Sequence, residues 1–290
     1  CSGNRLFLNN GDVTFRDVTD DFGLRDGGWG WGAAIEDFSN NGQLEVVMTN
    51  GFREDGVDTQ PSTPELDAEL DFFRTFVEDP TRFWVLDGGR YREAASTVGV
   101  DDVSMGHALI AFDMDNDGDL DLYFTGGPIK GSAPMPDALF ENLGDESFAD
   151  ITWWAGMADT AHGKASALVD LDRDGFFDVA TVAWGSPLRL HHNRLGRRSN
   201  NHWLVVELEG RPPNRAALGA IVRIEVQGGA AQTCFHTTRP SLGAGGELAC
   251  HFGLGSIDTI ESIEITWPDG AVQTPAAPSV DRRVRYVQSP

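Results

Sequence analysis

Residues 113–122 read DMDNDGDLDL, with a carboxylate at every second position from Asp113 to Asp121 and a glycine at 118. Like charges so spaced repel one another unless a cation lies among them. They suit a hard divalent ion: calcium takes about six to eight oxygens at about 2.3–2.6 Å, from carboxylates, carbonyls and water. In a tight loop the side chains of the first, third and fifth residues converge, the seventh offers its carbonyl and the ninth closes the site. A glycine at the sixth permits the turn. The expected ligands are Asp113, Asp115, Asp117, the Asp119 carbonyl and Asp121. Residues 170–179, DLDRDGFFDV, repeat the pattern with Asp170, Asp172, Asp174, the Phe176 carbonyl and Asp178. Residues 37–46, DFSNNGQLEV, repeat it with fewer charges: Asp37, Ser39, Asn41, the Gln43 carbonyl and Glu45. Two calcium ions are therefore expected. The first loop is either a weaker third site or a turn held by hydrogen bonds alone. Magnesium fits less well, because it keeps its waters in a near-octahedral shell. An EF-hand would need a bidentate glutamate at the twelfth position and flanking helices. That position holds Met48, Phe124 or Thr181, and the runs LEVVMT, LDLYFT and FDVATVAW read as strands. The bland alternative is an acidic turn facing solvent, which three aligned copies argue against.

The elements that must hold these loops also repeat. A second motif alternates with the first: RLFLNNGDVTFRDVT at 5–19, ALFENLGDESFADIT at 138–152, and weaker copies RFWVLDGGRYREA at 82–94 and RLHHNRLG at 189–196. NNGD and NLGD are turn chemistry between two strands. One unit of roughly 50–60 residues thus recurs, a period typical of propellers and solenoids. Four-stranded blades around an axis are the natural assembly. An insertion at 53–81 interrupts the first full unit. Its Leu66, Leu70, Phe73 and Val77 have helical spacing, so a helix lying on the propeller is expected there. Residues 201–287 instead alternate apolar and polar residues in WLVVELEG, AIVRIEVQGG and SIEITW, separated by proline and glycine. They read as a small β-sandwich or barrel. The fold class is all-β: propeller blades over 1–199, then a β domain over 200–290.

Charge supports that division. Residues 1–199 carry 36 Asp and Glu against 15 Lys and Arg, whereas 200–290 carry 9 against 7. A net charge of −23 excludes the basic patch that phosphate backbones require, so nucleic acid is not an expected partner. No run of eighteen apolar residues offers a transmembrane span. Cys234 and Cys250 either pair, which implies an oxidising compartment, or are buried free thiols; pairing is the favoured reading.

The loops at 37–45, 113–121 and 170–178, together with GWGWGAAIEDF and MGHALIAFDMDNDGDLDL, resemble the FG-GAP/VCBS repeats of calcium-binding β-propellers. NHWLVVELEG at 201–210, NRAALGAIVRIEV, HFGLG at 251–255 and WPDG at 267–270 resemble the ASPIC/UnbV domain. The pairing resembles the cartilage acidic protein family and its bacterial secreted relatives, over nearly the whole chain. Two stretches depart from the pattern: the first loop lacks most of the carboxylates, and NRAALGA replaces a more charged stretch. The resemblance implies calcium-stabilised blades on a protein outside the cell.

No HExxH, GxSxG or phosphate-binding loop occurs, and GWGWGA follows a polar stretch rather than a strand, so no enzyme is expected. His107 and His162 precede acidic loops and fit a histidine-lined channel near the axis, though satisfied structural histidines are the commoner case. His191 and His192 adjoin a turn without an evident partner. The glycines of HFGLG read as a turn, with Phe252 and Leu254 in the core. A metal role for His251 beside Cys250 lacks further ligands. Most tryptophans should pack blades, while a few on the surface could anchor a partner. The favoured function is an extracellular calcium-stabilised binding or scaffold module for a protein or carbohydrate partner. The alternatives are a structural subunit assembled with other chains in an envelope or filament, and a biosynthetic accessory protein or enzyme with a propeller-face pocket. The chain opens in mid-repeat, so either further blades lie upstream, the favoured expectation, or the propeller is small and unusually closed. Cys1-Ser-Gly-Asn resembles the start of a lipid-anchored bacterial protein, a periplasmic or cell-surface variant of the same localisation.

Overall fold

A computed structural model describes residues 3–51, 76, 79–104, 106–127, 135–238 and 241–289. The helix expected within the insertion falls on residues outside these. The described chain is nearly all β, as the alternating runs require. A two-stranded hairpin, β1 (Phe7–Asn9) and β2 (Phe15–Asp17), is followed by two antiparallel four-stranded meanders. The first comprises β3 (Ala33–Glu36), β4 (Glu45–Met48), β5 (Arg82–Asp87) and β6 (Arg90–Glu93). The second comprises β7 (Gly106–Phe112), β8 (Asp121–Gly126), β9 (Ala138–Asn142) and β10 (Phe148–Asp150). A third contributes β11 (Gly163–Val169), β12 (Asp178–Ala183) and β13 (Arg189–His191). These are the blades read from the repeat: a half, two whole, and one with three of its own strands.

Each blade buries its faces against the next. Phe38, Val47 and Phe83 of one meander share a core with Leu109, Phe124 and Phe140 of its successor. Ile110, Phe112 and Tyr123 share another with Leu168, Phe177 and Val179. Single-turn helices at Thr19–Phe22, Ala95–Val98 and Thr152–Ala155 close equivalent positions. Each is capped by a left-handed glycine, Gly23, Gly99 or Gly156, where a Cβ would be strained. The second motif therefore ends each blade in the same way.

The last ninety residues form two sheets around one core. One holds β18 (Cys250–Gly255), β14 (His202–Glu209) and β21 (Arg282–Val287). The other holds β16 (Gln232–Phe235), β15 (Ile221–Val226), β19 (Ile260–Thr266) and β20 (Val272–Gln273). Leu204, Val206 and Phe252 from the first sheet interlock with Val222, Ile224 and Ile265 from the second, all nearly or fully excluded from solvent. That is the sandwich the alternation predicts. A Cys234–Cys250 disulfide joins the two sheets. One strand leaves the sandwich. β17 (Ala244–Gly246) pairs in parallel with β11, along the inner edge of the third blade. HFGLG is also corrected: it lies within β18 rather than in a turn. Phe252 and Leu254 do face the core, because strand alternation sends every second side chain inward and leaves Gly253 on the opposite face.

Candidate functional site

Each acidic loop joins the first two strands of a blade, and its backbone is built the same way three times. The fourth residue, Asn40, Asn116 or Arg173, is left-handed at φ 52°, 61° and 60°. The sixth, Gly42, Gly118 or Gly175, follows at φ 83°, 102° and 85°. The ninth residue turns inward. Glu45, Asp121 and Asp178 accept the amides of Phe38, Met114 and Leu171 at 2.8, 2.8 and 3.0 Å. Asp121 and Asp178 also accept the amides of Asn142 and Asn193 at 2.8 and 2.7 Å, tying the loop to the blade's outer strands. The expected closing ligands therefore have both side-chain oxygens on protein donors. Asn41, Asp117 and Asp174 each bond the amide two residues on, at 2.8, 2.9 and 3.0 Å, which sets the position of the seventh residue.

The loops differ at their first residue. In the first loop Asp37 accepts the Asn41 and Gly42 amides at 3.0 and 2.8 Å, and Glu45 also takes Ser39 by amide and hydroxyl. Those carboxylates are satisfied, so this loop closes on hydrogen bonds. In the third, Asp170 resembles Asp37: its oxygens accept the Asp174 and Gly175 amides at 3.1 and 3.2 Å, and Arg283 Nη2 lies 3.8 Å away, so only the grouping of its three aspartates favours an ion there. In the middle loop, Asp113 accepts the Gly118 amide through Oδ2 at 2.9 Å, while Oδ1 is buried with no partner among the described residues. Asp113, Asp115 and Asp117 each offer an oxygen within 4.8 Å of the others, as do Asp170, Asp172 and Asp174. A carboxyl oxygen buried without a partner among the described residues, beside two further carboxylates, fits a hard cation. Burial, then the charges of Asp117 and Asp115, push the Asp113 carboxyl well above its ordinary range. Burial likewise raises Asp115, Asp117, Asp119, Asp121, Asp170 and Asp174.

Other contacts were not legible in the pattern. Asn40 Nδ2 donates to the Gly118 carbonyl at 3.1 Å, and Asn116 Nδ2 to the Gly175 carbonyl at 3.0 Å, so each loop is hooked onto the next. Asn142 Nδ2 and Asn193 Nδ2 reach back to the Phe38 and Met114 carbonyls at 2.9 and 2.7 Å. His192, read as lacking a partner, bonds Asp178 through Nδ1 at 2.9 Å, with Nε2 at 3.7 Å from Asp172. It makes a further three-residue group with those aspartates. The C-terminal sandwich grips the middle and third loops. The Gly255 amide bonds the Asn116 carbonyl at 2.8 Å, Asn201 Nδ2 bonds the Asp115 carbonyl at 3.0 Å, and His251 Nε2 lies 2.9 Å from the Gly175 carbonyl. A Cβ on Gly253 would stand 1.8 Å from Asp113 Oδ2, so only glycine fits there. Repeated asparagines at the fourth loop position were the available sequence signal for the hooks. Nothing in the sequence signalled the contacts with the sandwich.

His107 is buried beside Trp31 and Lys164, whereas His162 is half-buried and lends its carbonyl to the Trp184 amide. Trp84 is core, but Trp153, Trp154 and Trp184 are 74%, 85% and 69% exposed. Among the described residues no helix is long and apolar enough to cross a membrane.

Residues 210–290 match the family model described as ASPIC and UnbV. The chain is 28% identical over 93% of its length to cartilage acidic protein 1 of Xenopus tropicalis, and 27% identical over 92% to that of Homo sapiens. It spans 39% and 37% of those proteins. The two-part resemblance read from the sequence is thereby supported by both the matched domain and the relatives.

Proposed function

We propose that this relative of the cartilage acidic proteins is an extracellular binding protein whose blades are stiffened by calcium, and that it acts by presenting a surface rather than by catalysis. The observation that carries the reading is the unpaired, buried Oδ1 of Asp113. Asp113, Asp115 and Asp117 would hold one ion and Asp170, Asp172 and Asp174 a second. When bound, calcium supplies the positive charge that offsets each carboxylate group. The chain itself does the rest: inward-turned Asp121 and Asp178 set the loop, and the Asn116 hook transmits its position to the next blade. The disulfide suits an oxidising compartment, where calcium at about 10⁻⁴–10⁻³ M would fill sites of extracellular affinity. The relatives' name ties them to cartilage, a tissue built of extracellular matrix, which supports the same localisation. Trp153, Trp154 and Trp184 are the anchors offered to a protein or glycan partner.

A second reading, a subunit assembled with other chains, draws on the β1–β2 hairpin, whose Phe7, Val13 and Phe15 are 55%, 96% and 62% exposed.

The test is metal analysis with a thermal melt in calcium and in chelator. Two ions per chain are expected, with a fall of roughly 5–10 °C per site when calcium stands about a hundredfold above its Kd. A chain that retains no ion and melts alike in both buffers refutes the reading.

A further inference from the structure

The three blades also carry an equivalent position, just before β3 and at the start of β7 and β11. Each sequence reads glycine, one variable residue, then glycine or alanine: Gly30-Trp31-Gly32, Gly106-His107-Ala108 and Gly163-Lys164-Ala165. The register slips between Gly106 and Ala108 and between Gly163 and Ala165, so His107 and Lys164 are bulge residues. A bulge re-aims its side chain out of the regular alternation. Because β3, β7 and β11 are neighbours, the three variable side chains meet. The His107 and Trp31 rings lie 4.7 Å apart between centroids, and Lys164 Nζ lies 3.0 Å from His107 Nε2.

The chemistry of the group is unusual for this chain. There are 45 acidic residues and only two lysines, yet Lys164 makes no ion pair within 4.0 Å among the described residues. It is half-buried, and the one polar partner of its side chain among the described residues is an imidazole. Burial, then the nearby Lys164 charge, lowers His107 to about 4, so the ring is neutral at neutral pH. A neutral ring that accepts the ammonium proton at Nε2 carries its own proton on Nδ1. That atom is buried with no partner among the described residues, so the lysine is the one polar group bonded to the ring there. Trp31 stands beside the pair, fixed by its indole N–H on the Gly51 carbonyl at 2.7 Å and flanked by Trp29.

We propose that Lys164, positioned by His107 beside Trp31, is a receptor for the carboxylate of a small acid whose flat or CH-rich face rests on the indole. One ammonium with two remaining N–H groups matches a monoanion. A phosphate dianion would leave uncompensated negative charge in a molecule already at −23. An arene acid and a uronic acid sugar present the same carboxylate beside a stackable face, and the two can be told apart by titration. The site is independent of the acidic loops and of calcium.

The experiment is calorimetry of the full chain, calcium present, with benzoate, glucuronate, inorganic phosphate and benzamide. Saturable binding of benzoate, glucuronate or both is expected, with the responding acid identifying the ligand type, and none of benzamide. Lys164→Met should weaken binding roughly tenfold to a hundredfold, the size of one charge-assisted hydrogen bond. Lys164→Arg should retain most of it, which separates loss of charge from loss of fold, and Lys130→Met should leave it unchanged. Trp31→Ala should weaken it several-fold. No saturable carboxylate binding, equal binding by Lys164→Met, or phosphate binding as tightly as the carboxylates overturns the proposal.

Discussion

The first and middle acidic loops share a backbone and differ in what satisfies their carboxylates. Around Asp37 and Glu45, amides and a serine hydroxyl occupy every side-chain oxygen. Around Asp113, one oxygen has no protein partner, and two further aspartates lie within ligand distance. The same turn is thus made in two ways: closed on itself, or with one carboxylate oxygen left for the proposed cation. Burial decides how much that matters. Asn116 is fully buried, whereas its counterpart Asn40 is exposed, so the middle loop lies against the sandwich while the first faces water.

The largest expected contrast comes from removing one carboxylate in each loop. Glu45→Ala orphans three donors and should cost about 2–4 kcal/mol with or without calcium. Asp113→Ala should lose about 2–3 kcal/mol when calcium is about a hundredfold above Kd and little in chelator. Denaturant melts of both variants in both buffers measure this; equal calcium dependence in the two would erase the distinction. Next, Gly253→Ala drives a methyl group into the Asp113 carboxylate and the Asn116 backbone. A loss of about 1–3 kcal/mol is expected, together with weaker calcium binding, whereas Gly42→Ala should leave calcium affinity alone.

Acid should then sharpen the comparison. The folded-state pKa of Asp113 is raised, so in chelator the unfolded chain releases that proton first and stability falls as pH rises from about 4. Lowering the pH of the ion-free protein from neutral to 5 should therefore stabilise the wild type relative to Asp113→Asn. With calcium bound the sign reverses, since protons compete with the ion. Urea midpoints of the pair across this range give the difference, and a flat difference in chelator would remove the buried charge from the account. The smallest effects belong to the hooks. Asn116→Ala should cost about 1–2 kcal/mol and Asn40→Ala less than about 0.5, because water replaces the lost bond only at the exposed site.

Much of this molecule is legible as spacing. An acidic or polar residue at alternate positions with a glycine at the sixth place, in three copies of which the middle has five aspartates, implies a turn between two strands. The alternation in WLVVELEG and SIEITW implies a sandwich because only one face of each strand is buried. Two cysteines in that half were enough to favour a bridge. Other features resisted, each for a physical reason. HFGLG contains two glycines and reads locally as a turn; it is a strand because it pairs with β14 and buries Phe252 and Leu254, while position 253 is glycine because Asp113 approaches it. His192 stands beside a turn in sequence and beside Asp178 only after β13 folds back on β12.

The amino-acid sequence by itself determined the repeated blade, the acidic turns and the alternating sandwich, since those depend on local geometry and side-chain period. Only the tertiary structure decided which carboxylate is left unpaired, which lysine meets which histidine, and that β17 from the last ninety residues joins a blade. Those outcomes depend on contacts between residues far apart in the chain, where burial removes the water that would otherwise satisfy every polar group alike.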